Sequence, residues 1–132
     1  MALHYHATIF NAQDLERCKN FWMAALGYKL LEENAEWVSL VDPEKEWVRV
    51  SFQLTDKAKH GLNRLHIDLR ADDGPTEIER LQALGATVIP WPHYNPVDDF
   101  VVLTDAEGNE FCVLGPNLEE YPRRMRYVGS NL

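Results

Sequence analysis

The chain has 132 residues and a net charge of −8, and 45% of its residues are hydrophobic. A chain of this size forms one domain with a sizeable core, and its acidity argues against binding to nucleic acid, which needs a basic surface facing the phosphates. No stretch approaches the roughly 20 apolar residues of a membrane span, so no membrane partner is expected.

The two cysteines, Cys18 and Cys112, fall in a predicted helix and a predicted strand. Two cysteines do not make a disulfide framework, and we expect both to be buried thiols. The first residues of the chain also lack the basic segment of a secretory signal. A reducing, cytoplasmic location is therefore expected.

The first half of the chain predicts one helix and four strands. An apolar, aromatic-rich segment at residues 5–10 predicts the first strand. Apolar residues then recur at helical spacing, from a cap at Asn11 or Asp14 to Gly27, which can end the helix at a positive φ. Three further strands are expected at residues 28–31, 37–41 and 47–54.

The second half repeats this order after a polar linker at residues 55–62. Its helix begins at a cap formed by Asp72 and Asp73 and ends at Gly85. A loop that contains Trp91 has no equivalent in the first half. The strands of this half are expected at residues 65–69, 87–89, 100–103 and 110–114.

The two halves are an internal repeat. Both helices close on a Leu-Gly pair, 58 residues apart, and the hairpins that follow carry Asp42 and Asp105 at an offset of 63. Repeats of this kind fix the architecture. We therefore predict an α+β fold made of two tandem βαβββ modules within one domain, residues 1–132. Module one covers about 4–54, the linker 55–62, module two about 63–115, and a C-terminal tail 116–132.

The motifs resemble the vicinal oxygen chelate superfamily, in which glyoxalase-like domains are grouped with bleomycin-resistance proteins and extradiol dioxygenases. Three segments carry the resemblance: Phe21-Trp22 followed by the residues around Leu26-Gly27, the run at 63–69, and the closing hairpin at 105–114. The resemblance covers about residues 4–115. It implies that the two modules form a cupped mixed sheet with outer helices around a cavity for a small-molecule ligand, and that the protein is a homodimer.

The resemblance also implies a possible divalent metal, Zn, Ni, Fe or Mn, held by the first and fourth strands of each module. In module two the matching residues are His66 and Glu110, and Glu110 is the candidate catalytic proton carrier. In module one the repeat offsets lead to Thr8 and Trp47, neither of which binds these metals. A shift of register would bring in His6, so the candidate metal ligands are His6, His66 and Glu110.

Other readings of these residues stay open at the level of sequence. Glu110 could instead form an ion pair with Arg64 or His66. Four residues are candidates for the lining of a substrate pocket: Trp47, Arg49, Gln53 and Trp91.

Two principal functions follow. One is a metal-dependent glyoxalase-like lyase, isomerase or dioxygenase that acts on a carbonyl or vicinal-oxygen substrate. The other is a metal-free protein that binds or sequesters a small molecule, as bleomycin-resistance proteins do. A third reading is a structural or regulatory domain without a ligand.

Overall fold

Each half of the chain folds into one helix and a four-stranded mixed sheet. The computed structural model describes residues 5–46, 48–61, 63, 65–90 and 100–118. The chain divides into two units, residues 1–59 and 60–132.

The first unit contains helix α1 and strands β1 to β4. In its sheet the strand order is β1-β4-β3-β2; β1 and β4 run parallel and the other neighbours antiparallel. The elements are β1 Thr8–Ala12, α1 Leu15–Leu26, β2 Lys29–Asn34, β3 Trp37–Val41 and β4 Arg49–Leu54.

The second unit contains helix α2 and strands β5 to β8. Its sheet has the order β5-β8-β7-β6, again with the outer pair β5 and β8 parallel. The elements are β5 Asp68–Arg70, α2 Gly74–Ala83, β6 Thr87–Val88, β7 Phe100–Thr104 and β8 Glu110–Leu114. Both units therefore have the same element order and strand order, and the predicted α+β fold of two βαβββ modules is confirmed.

Helix α1 begins and ends where the sequence predicts. The Asp14 side chain accepts a hydrogen bond from the Arg17 backbone N–H, and Gly27 ends the helix in the left-handed region at φ 68°. The buried face consists of Cys18, Phe21 and Trp22.

Ring stacking identifies which face of the first sheet the helix covers. The Phe10 ring lies 6.0 Å from Trp22 of α1 and 5.8 Å from Phe52 of β4. Because side chains alternate along a strand, Arg49, Ser51 and Gln53 lie on the opposite face of β4.

Two buried serines form a polar pair on that opposite face. Ser39 and Ser51 face each other across β3 and β4, and their hydroxyl oxygens lie 2.6 Å apart. Because each hydroxyl satisfies the other, the two polar groups can be buried without an unpaired donor.

In the second unit, strand β8 has two differently packed faces. Phe111 and Val113 are almost completely buried, as are Ile78 and Leu81 of α2. Cys112 points to the other side, where it packs against Val102. Both cysteines are buried thiols that form no disulfide, as predicted.

Strand β5 is shorter than the sequence predicts, and His66 lies before it. The Asn63 side-chain amide donates to the Glu110 backbone carbonyl at 2.9 Å. The Asn63 side chain therefore bonds to the start of β8, where a backbone strand partner would otherwise lie. Regular pairing of β5 with β8 begins only with Asp68.

No helix within the described ranges combines the length and apolar character needed to cross a bilayer.

Candidate functional site

The hairpin registers identify which residue of module one corresponds to Glu110. Glu110 pairs with Thr104 across its hairpin, and Arg49 pairs with Val41 across the equivalent one. The connection in module one is two residues longer, because β3 ends at Val41 and β4 begins at Arg49. The offset of 63 residues between Asp42 and Asp105 therefore does not apply to the residues of β4 and β8. Arg49, and not Trp47, is the counterpart of Glu110.

The parallel strand pairs locate the counterpart of His66. Cys112 pairs with Asp68, and its counterpart Ser51 pairs with Ile9. His66 lies two residues before Asp68, and Ala7 lies two residues before Ile9. The counterpart of His66 is therefore Ala7 and not Thr8. The repeat offset of 58 was wrong here by one residue, because the segment from the strand to the closing glycine is one residue longer in module one, from Ile9 to Gly27, than in module two, from Asp68 to Gly85.

The Glu110 side chain is half-buried and participates in a local hydrogen-bond network. Its Oε2 accepts a hydrogen bond from the Asn63 backbone N–H at 3.0 Å. Together with the bond from the Asn63 amide to the Glu110 carbonyl, this ties the entry of module two to the start of β8. Glu110 therefore has a structural role, whichever chemistry it also performs.

A buried carboxylate in the preceding turn sets where Glu110 begins its strand. Asp105 is only 4% exposed. Its Oδ1 accepts from the backbone N–H groups of Glu107 and Asn109, both at 2.9 Å, and its Oδ2 accepts from the Asn109 side chain at 3.1 Å. These bonds hold the turn in one conformation, so Glu110 enters β8 in a fixed register.

His66 lies beside two residues that the sequence did not identify as site residues, Asp68 and Cys112. Its Nε2 is 3.1 Å from the Asp68 Oδ1, and one ligand atom each of His66, Asp68 and Cys112 lies within 4.8 Å of the others. Burial raises the pKa of the Cys112 thiol to about 12, with smaller contributions from the charge and hydrogen bond of Asp68. Strand alternation could have linked His66 to Asp68, but no sequence signal joins either of them to Cys112.

Arg49 and Gln53 lie on the same face of β4 but in different surroundings. The half-buried Arg49 directs its Nε towards the Glu46 carbonyl at 3.5 Å. Four residues of strand separate the two side chains by about 13 Å. A surface depression of about 570 Å³ contains Gln53; it is lined by Gln13, Glu36, Gln53, Leu54, Thr55 and Asp56.

The remaining candidates cannot be joined to these groups. His6 is exposed and lies two residues before β1. Trp47, Trp91 and Arg64 lie outside the described residues. The roles predicted for these residues therefore stay predictions.

A family model described as a glyoxalase-like domain matches residues 7–114. The chain belongs to the glyoxalase-like domain family. A comparison with curated proteins gives no significant match.

Solved structures of low sequence identity have the same fold as this chain. A glyoxalase/bleomycin resistance protein/dioxygenase family enzyme from Burkholderia phytofirmans is 18% identical, with a TM-score of 0.67 over 83% of this chain and 95% of that one. The fosfomycin resistance protein FosX from Listeria monocytogenes, complexed with Mn(II) and sulfate, is 16% identical, with a TM-score of 0.68 over 95% and 98%. The oxidase ChaP-H2 is 18% identical, with a TM-score of 0.63 over 87% and 94%.

The residues of this glyoxalase-like chain do not fit the metal pattern that the resemblance implies. Module two offers His66 and Glu110, but the matching positions of module one are Ala7 and Arg49. Alanine has no donor atom, and arginine carries a permanent positive charge that repels a cation. Of the positions in the implied metal pattern, only His66 and Glu110 of module two therefore carry side chains that can bind a metal ion.

Proposed function

We propose that this chain binds a small organic molecule through an anionic oxygen group, and that Arg49 supplies the positive charge. One observation carries the proposal: the hairpin register places an arginine, on the sheet face opposite the helix, at the position that corresponds to Glu110. A guanidinium group offers several N–H donors in one plane. This geometry suits a carboxylate, phosphate or phosphonate better than a metal ion.

The surroundings of Arg49 are compatible with this role. The side chain is half-buried, and its hydrogen-bond acceptor is the neutral backbone carbonyl of Glu46. In the part of the chain that the structure describes, no carboxylate lies within ion-pair distance of it. The charge of Arg49 is thus not neutralised by a described neighbour and is available to a ligand.

Proteins of the same fold support the choice of ligand class. Structures of FosX from Listeria monocytogenes contain a sulfate ion in one case and a dihydroxypropylphosphonic acid in another, each with Mn(II). Both molecules present negatively charged oxygen atoms. We infer that the ligand of this chain also carries such a group. Trp47 and Trp91 are proposed as aromatic contacts for its organic part, and Gln53 as a polar contact.

Calorimetric titration with propylphosphonate and inorganic phosphate, and with the neutral diethyl ester of propylphosphonate, tests this proposal. The anions should bind and the ester should not. Arg49→Gln should weaken anion binding roughly 10- to 100-fold, because a hydrogen bond to a charged group contributes about 1.5–3 kcal/mol. Arg17→Gln removes an exposed arginine from the same module and should leave binding unchanged. Equal binding by the Arg49→Gln variant and the original chain would contradict the proposal.

The metal-dependent lyase, isomerase or dioxygenase remains a second candidate function. One comparison favours it: structures of FosX from Listeria monocytogenes, which have the same fold, contain Mn(II). Its ligands would be His6, His66 and Glu110, and Zn, Ni, Fe or Mn its metal. We derive no catalytic step through a metal, since the module one positions do not fit one. Metal analysis after loading should show about one equivalent that is lost in both His66→Ala and Glu110→Ala if this candidate holds.

We further propose that the protein is a homodimer in a reducing, cytoplasmic setting. The two buried thiols, neither of which forms a disulfide, support the reducing setting. A light-scattering mass equal to one chain would contradict the dimer.

A further inference from the structure

Three potential metal ligands converge on one side of the second sheet. The His66 Nε2 and the Asp68 Oδ1 lie 3.1 Å apart, and the set that also includes the Cys112 Sγ spans no more than 4.8 Å. His66 and Asp68 are each about half exposed, whereas Cys112 is 9% exposed. The cluster is therefore a shallow site with a buried thiol at its base and an open side towards solvent.

The backbone holds this arrangement in place. Asp68 and Cys112 are direct partners in the parallel pairing of β5 and β8. The Cys112 backbone N–H donates to the Ile67 carbonyl at 3.0 Å, so the residue between His66 and Asp68 is also anchored. Residues two apart on an extended segment share a face, which brings the imidazole and the carboxylate to the same side as the thiol.

The donor set matches the preferences of zinc. Zinc is bound in proteins by one or more of thiolate, imidazole and carboxylate groups, usually in tetrahedral geometry. With bonds of about 2.0–2.3 Å, the ligand atoms of such a site lie roughly 3.3–3.7 Å apart. The imidazole and carboxylate of the cluster are already near this separation, and the open side leaves a fourth position for water or another ligand.

The Cys112 thiol lies in apolar surroundings on the side of the sheet that carries the cluster. Cys112 packs in a small cluster with Val102, and Ile89, Phe100 and Leu114 are packed against these two. A bound cation would replace the thiol proton and would also satisfy the neighbouring carboxylate.

We propose that His66, Asp68 and Cys112 form a zinc-binding site in module two. This ligand set differs from the pair His66 and Glu110 that the resemblance implies. It has no counterpart in module one, where Ala7, Ile9 and Ser51 occupy the matching positions. The site does not depend on the oxyanion ligand proposed for Arg49, and either proposal can fail without the other.

Titration of the untagged full-length protein with Co²⁺ and Zn²⁺ under reducing conditions tests the site. Cobalt bound to a thiolate gives a sulfur-to-metal charge-transfer band in the near ultraviolet, so Co²⁺ should produce this band at one equivalent and Zn²⁺ should abolish it. Calorimetry in buffers of different ionisation enthalpy should show release of about one proton for each zinc ion at pH 7.

Single substitutions identify the ligands. Asp68→Asn, at an exposed position, should weaken zinc binding by more than about 100-fold, since even the loss of an outer partner of a metal ligand costs roughly 10- to 100-fold. Cys112→Ser should remove the charge-transfer band and the proton release. His60→Gln and Cys18→Ser, which change a second histidine and the other thiol, should behave like the original chain.

Glu110→Gln separates this site from the pair implied by the resemblance. If the proposed set is correct, Glu110→Gln keeps the charge-transfer band, whereas Asp68→Asn and Cys112→Ser lose affinity. A cobalt complex without the thiolate band overturns the proposal, and so does zinc affinity that Asp68→Asn leaves unchanged. Failure of the original chain to bind either metal at micromolar concentration also overturns it.

Discussion

The turn that precedes Glu110 should be far more sensitive to loss of its aspartate than the matching turn of module one. Asp105 is 4% exposed, and its carboxylate accepts hydrogen bonds from the backbone N–H groups of Glu107 and Asn109 and from the Asn109 side chain. Asp42 occupies the same place in its own turn, but it is half-buried, and its Oδ1 accepts a hydrogen bond from the Glu44 backbone N–H at 2.8 Å. The two residues therefore provide a matched comparison within one protein.

The expected magnitudes follow from these contacts. A hydrogen bond to a charged group contributes about 1.5–3 kcal/mol, but donors that regain water recover part of that loss. Since the donors around Asp105 are half-buried, Asp105→Ala should lower the free energy of unfolding by about 3 kcal/mol. Asp42→Ala, with one bond near solvent, should cost about 1 kcal/mol. The cost of Asp105→Asn should lie between these two values. The amide oxygen of the new side chain can still accept from the backbone N–H groups, but its NH₂ group faces the donor of the Asn109 side chain.

Urea denaturation followed by far-ultraviolet circular dichroism measures both losses on the same scale. The variants should also differ in function, since a loosened turn no longer fixes the position of Glu110. The reasoning is refuted if Asp42→Ala destabilises the protein as much as Asp105→Ala does, because burial and bond count would then not determine the cost.

Three further predictions concern packing, pH and backbone geometry. Ser39→Ala alone should cost about 1–3 kcal/mol by orphaning the buried Ser51 hydroxyl, whereas the double variant Ser39→Ala with Ser51→Ala should be nearly neutral; a double variant as unstable as the sum of the singles, measured by urea denaturation, would contradict this. The metal-free protein should lose stability as pH rises from about 9.0 towards 12, because the unfolded chain releases the Cys112 proton before the folded one does; Cys112→Ser should remove this part of the pH dependence in denaturation curves at several pH values. Gly27→Ala should cost roughly 1–2 kcal/mol, since Gly27 ends α1 at φ 68°, and the loss should appear as a lower thermal midpoint.

The sequence by itself determined the architecture of this protein. The repeated Leu-Gly ends and the paired turn aspartates predicted two βαβββ modules, and both sheets have the same strand order. Local signals of this kind are readable because caps, glycines and alternating apolar residues act over a few positions. Asp14 and Gly27 define α1 as predicted for this reason.

Only the tertiary structure decided which residues occupy corresponding positions in the two modules and which side chains lie close together. A two-residue difference in turn length moved the counterpart of Glu110 from Trp47 to Arg49, and this difference is visible only in the strand pairing. The approach of Cys112 to His66 and Asp68 depends on the parallel register of two strands more than 40 residues apart in the chain. Register between distant strands is set by packing and turn geometry over the whole sheet, so no local pattern contains it.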